Sequence, residues 1–131
     1  MLKKLLLLAV VSGILAAAAC LVYRKVYGES LGADGFVHIV STQKIFAACL
    51  GANIIAAIGY FLLSKVAKSY TEAIFNLLFA CITIATIVYP IGYKLPLDLE
   101  MPELFPGLAI PMHFFPVLGW MTLKPLFAKN I

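Results

Sequence analysis

The sequence predicts an all-α, polytopic membrane protein: a four-transmembrane-helix bundle with a proline-kinked fourth helix. Three observations predict it. Apolar runs occupy residues 5–23, 45–63, 73–89 and 104–123, each close to the ~20 residues that carry a helix across roughly 30 Å of hydrocarbon. Hydrophobic residues make up 63% of the 131 and charged residues 12%, about half of the ~25% charged in an ordinary soluble domain. Mean hydropathy is +1.03. Inside lipid the backbone has to satisfy its own hydrogen bonds, which makes helices the expected form of such runs. One domain spanning residues 1–131 follows, with no length left for a soluble module.

The first run opens after Lys3 and Lys4. Ala17-Ala18-Ala19-Cys20 loosely matches a lipoprotein cleavage box, but Leu21-Val22-Tyr23 continues the apolar run where a processed lipoprotein opens a polar tether. A retained span is therefore expected. Gly13 and Ala17, with Ala9 before them, form a small-residue row, as do Ala48, Ala52 and Ala56 in the second run. Such rows let helix backbones approach closely, against one another or against a second copy.

The link to the third run is short, Ser64–Ser69, and its end, Ser69-Tyr70-Thr71-Glu72, reads as a capping box. Glu72 is also the acid nearest to a span, a position from which transport helices carry protons or cations. Capping accounts for its place without transport chemistry. In the last run Pro106, Pro111 and Pro116 recur every five residues. Each internal proline removes a backbone donor and is predicted to bend the helix, with His113 between the last two.

Gly28, Gly32 and Gly35 mark one outer connection, and Pro90, Pro96 and Pro102 break the other. Asp98, Glu100 and Glu103 read as a solvated loop. Lys3, Lys4, Lys65, Lys68, Lys124 and Lys129 fall on one side of the predicted spans; Arg24, Lys25, Lys44 and Lys94 fall on the other. That bias predicts two cytoplasmic termini and a place in the inner (plasma) membrane. Basic residues scattered in ones and twos near span ends give no sign of a nucleic-acid partner.

Cys20, Cys49 and Cys81 lie one in each of the first three runs without a CxxC pair, so neither a zinc thiolate site nor a disulfide-exchange centre is indicated. They read as small packing residues. No metal and no cofactor are predicted. The intramembrane polar residues are Ser12, Asn53, Asn76, Thr83, Thr86 and His113. At about 1.5 Å per residue, Asn53 and His113 sit about 12–14 Å below the outer surface and Thr83 about 9 Å. These three form a candidate polar cluster; the alternative is that each bonds a nearby backbone carbonyl. An axial haem pair is ruled against because His38, the other histidine, belongs to an outer loop.

Three functional readings follow. The leading one is a structural or accessory component that self-associates or joins a larger membrane complex, with the lipid bilayer as its first partner. The second is a binder or transporter of a small molecule or lipid, with a pocket near Asn53, Thr83 and His113. The third, a membrane enzyme using His113, lacks the second group that normally orients an acid–base histidine.

Ser12-Gly13-Ile14-Leu15-Ala16 in the first helix, the long first outer loop, and Met112-His113 in a last helix ending near Lys124-Pro125 give the whole chain an order that resembles an uncharacterised family of small four-helix bacterial membrane proteins. The resemblance implies the four-helix fold and no activity.

Overall fold

Helix accounts for most of the chain in the computed structural model, which describes residues 1–127: α1 (Leu2–Leu31), α2 (Thr42–Ala67), α3 (Thr71–Thr86), the single turn α4 (Val88–Gly92) and α5 (Phe105–Phe127). Short 3-10 turns cover Asp34–His38, Lys68–Tyr70 and Pro102–Leu104. Among the described residues there is no strand.

Among the described residues three helical stretches, and not four, are long and apolar enough to cross a membrane: Leu2–Leu31, Thr42–Gly92 and Pro102–Phe127. The predicted four-transmembrane-helix bundle is corrected accordingly. The runs expected at 45–63 and 73–89 fall within one tract, Thr42–Gly92, which turns back at Lys68, a non-glycine residue held at φ 49°. Taken alone, α3 has 16 residues, about 24 Å at about 1.5 Å per residue, short of the ~30 Å hydrocarbon core.

α3 pauses at Ile87, which keeps helical dihedrals, before α4 continues the path to Gly92. Thr83 Oγ1 donates to the Phe79 carbonyl at 2.7 Å, and Thr86 Oγ1 donates to the Thr83 carbonyl at 2.7 Å. Threonines that bond back to their own helix compete with the backbone ladder. The chain then tightens at Ile87, whose N–H reaches Ile84, and Pro90 inside α4 leaves another carbonyl without its helical donor.

Two apolar clusters hold the molecule. One gathers Ala16, Cys20, Phe36, Cys49, Leu108 and Met112; the other gathers Leu5, Leu8, Ala57, Tyr60, Phe75 and Trp120. The start of α1 and the end of α5 therefore lie at the same end of the molecule, with α3 carrying the chain back toward the other. Small residues set how closely α1 packs. A Cβ on Gly13 would come within 3.1 Å of the Leu50 backbone in α2, and one on Gly119 within 3.1 Å of the Ser12 carbonyl. Ala9 and Ala17 are wholly buried, and Ala56 is buried in the second cluster.

Prolines do not interrupt α5, which runs through Pro111, Pro116 and Pro125. Pro111 and Pro116 leave the carbonyls of Gly107 and Met112 without their helical donors. Both find partners on α1: Tyr23 Oη donates to Gly107 at 2.7 Å and Cys20 Sγ donates to Met112 at 3.8 Å. Tyr27 Oη adds a bond to the Leu104 carbonyl at 2.7 Å.

Candidate functional site

Of the candidate cluster, the structure brings two members to one cavity and places the third elsewhere. Asn53 is fully buried where α1, α2 and α5 meet. In the amide orientation that satisfies both of its ends, its nitrogen donates to the Pro116 carbonyl at 3.2 Å, and its oxygen accepts from the Ser12 hydroxyl at 2.8 Å and the Gly13 N–H at 3.1 Å. An amide ringed by such partners in a low-dielectric interior is a structural staple.

Thr83 and His113 line a cavity of about 450 Å³ between α2, α3 and α5. Its walls are mainly apolar: Ile45, Ala48 and Ala52 from α2, Phe79 and Ile82 from α3, Phe105, Ala109, Met112 and Pro116 from α5. Cys20 and Cys49, whose sulfurs stand 3.9 Å apart, close one side. Ala48, Ile82 and Thr86 are exposed, so the cavity opens sideways toward the surroundings of the helices. Near the turn shared by α2 and α3, Tyr60 and Phe75 join the two helices with ring centroids 5.0 Å apart, and the cavity lies further along them.

The polar groups on its wall are committed to their own helices. Thr83 bonds Phe79, and His113 Nδ1 lies 2.7 Å from the Ala109 carbonyl. That carbonyl can only accept, so Nδ1 carries the hydrogen of this bond. Asn53, Thr83 and His113 thus bond to separate partners.

The predicted Ser69–Glu72 pair is not brought together. Tyr70 is the N-cap of α3 and no side chain caps it. Glu72 instead accepts from Tyr60 Oη at 3.0 Å and Asn76 Nδ2 at 3.3 Å, and forms an ion pair with Lys124. Lys124 Nζ also lies 4.5 Å from the centre of the Tyr60 ring, a cation–π contact. Sequence reasoning missed this junction of α2, α3 and α5. Its only trace was an acid at the start of one run and a lysine at the end of another. Lys44, on the rim of the cavity, was likewise read only as an orientation charge.

Ala48 and Ala52 stand on the cavity wall, exposed and half-buried, while Gly13, Ala17 and Ala56 are buried between helices. Among the described residues, no three of His, Cys, Asp or Glu cluster so as to hold a metal ion. Compared with protein-family models, curated proteins and solved structures, the chain matches none. With three spanning stretches and no family match, the resemblance to a four-helix family is withdrawn.

Proposed function

We propose that this small multi-pass membrane protein binds a lipid-like small molecule in the cavity between α2, α3 and α5. The observation that carries the reading is the cavity itself: about 450 Å³, apolar-walled and open to the side. Concave, mostly apolar sites with a few polar groups are where small molecules bind. A packed interior at this place would have favoured a purely structural role.

The termini are assigned to the cytoplasmic side of the inner membrane. Lys3, Lys4, Lys65, Lys68 and Lys124 gather at the end of the molecule where α1 begins and α5 ends, and lysine excess favours the cytoplasm. Lys129, counted on the same side in the sequence, lies outside the described residues.

Purification of the full chain in mild detergent, followed by mass spectrometry of what it retains, tests the reading. One lipid-like molecule per chain is expected, and it should be lost from Ala48→Trp, which places an indole at the cavity mouth. Retention of nothing, or retention untouched by Ala48→Trp in a folded variant, would overturn it.

A second reading, self-association or membership of a larger complex, is favoured by α2 alone. Gly51 and Gly59 have nothing within 4 Å of where a Cβ would stand, leaving room for another helix to approach. Cross-linking from Cys introduced at Gly51 and Gly59 in membranes would detect that neighbour.

A further inference from the structure

The cavity has a direction, and its chemistry changes along it. At one end the rim carries Lys44, Tyr89 and Tyr93; the other end is closed by Phe79 and Pro116. Lys44 is the one lysine among the described lining residues, and no arginine, aspartate or glutamate stands beside it there. Its Nζ donates to the Ile39 carbonyl at 3.1 Å, which leaves two of the three ammonium hydrogens uncommitted. Below the rim the polar hydrogens of the threonines and of His113 Nδ1 are already engaged. Thr83 and Thr86 donate into their own helix, and the Nδ1 hydrogen of His113 goes to Ala109.

The slot is long and narrow. It runs from Lys44 to Ala52 along α2 and from Phe105 to Pro116 along α5, about 12–16 Å at about 1.5 Å per residue. An extended chain advances roughly 1.2 Å per bond, so the slot takes about ten to thirteen carbons of one hydrocarbon tail.

We propose that the ligand is a single-chain fatty acid, its carboxylate at Lys44 and its tail running down between α2, α3 and α5 toward Pro116. This rests on the reading of the cavity as a ligand site and adds the charge, orientation and chain number of the occupant. Lys44 suits the role because a long lysine buries its stem along apolar surface while holding its ammonium at the polar boundary. The head group stays at the rim and the cavity admits the tail through its open side.

The test uses the full chain in phosphatidylcholine nanodiscs with two photoreactive probes of equal length, a diazirine dodecanoate and a diazirine dodecanol. The acid is expected to label residues of the cavity wall. Labelling should fall about fivefold in Lys44→Gln, the size of a solvent-accessible charge contact, and persist in Lys44→Arg. The alcohol should label less and ignore the Lys44 change. Equal labelling by both probes, insensitive to Lys44→Gln, overturns the fatty-acid assignment while leaving the cavity a ligand site. Wall labelling by neither probe overturns both. Displacement of the acid by a lysophospholipid far better than by unlabelled dodecanoate also overturns the free acid as the occupant.

Discussion

The α1 side of the molecule and the α3 side are both built from apolar stretches long enough to cross a membrane, yet they pack differently. In their most apolar windows, 44% of α1 and 39% of the Pro102–Phe127 stretch are buried, against 17% of the Thr42–Gly92 tract. Hydrophobicity does not separate them; side-chain size and hydrogen bonding do. In lipid, helix association depends on close packing and polar contacts because the tails are as apolar as leucine. At its contacts α1 offers Ala9, Gly13, Ala16 and Ala17, and its neighbours answer with Gly119, Asn53 and freed carbonyls. Few residues of α3 are buried, namely Thr71, Phe75 and Thr83, and its bulky Leu77, Leu78, Ile82 and Ile84 are exposed. Where packing is loose, a cavity remains.

Substitutions can break the tight side hardest. Gly13→Leu is expected to have the largest effect, because its added atoms meet the Leu50 backbone and the Cys49 carbonyl, neither of which is a movable side-chain tip. A loss of about 3 kcal/mol, at the upper end for overpacking, should appear in detergent unfolding, and a fold that tolerates it would show that α1 and α2 are less closely fixed than described. Asn53→Leu comes next. It removes the staple, although the Ser12 hydroxyl keeps the Ala9 carbonyl at 3.3 Å as a partner, for an expected loss of about 1–2 kcal/mol, near the top of measured intramembrane hydrogen bonds. Its far-UV spectrum should be unchanged.

On the loose side the effects shrink. Glu72→Gln leaves Lys124 without its carboxylate, but Glu72 is 51% exposed, so the expected loss is about 1 kcal/mol, well below the 3–5 of a fully buried pair. Pairing it with Lys124→Met should restore most of that loss in a double-mutant cycle; additive losses would mean that the two residues act independently. His113→Leu is expected to change stability least, by under about 1 kcal/mol, since it removes one hydrogen bond within a helix. A larger loss would assign the histidine to the tight side.

The helices were legible where an apolar run was long and uninterrupted. The runs at 5–23, 45–63 and 104–123 all lie inside helices, and Ser41 accepts from the Lys44 N–H at the start of α2, an ordinary cap. The run at 73–89 misled because apolar length alone does not show that it continues, through the turn at Lys68, the same helical tract as the second run, Thr42–Gly92. Depth counting put Asn53, Thr83 and His113 near one level, yet depth says nothing about azimuth, and Asn53 turns to α1 while the other two face the cavity. Glu72 lost its capping role to partners on α2 and α5 that are 12 and 52 residues away in sequence. No local pattern encodes such a choice.

The bonds from Tyr23 and Cys20 to α5 bear on how the chain is made. A helix with Pro111 and Pro116 inside it would enter the bilayer with two bare carbonyls, each a penalty of several kcal/mol in hydrocarbon. Synthesis from the amino terminus places α1 in the membrane first, with its hydroxyl and thiol waiting for the last helix to arrive. The first helix thus holds the donors that these carbonyls need, and α5 expressed without it should insert poorly.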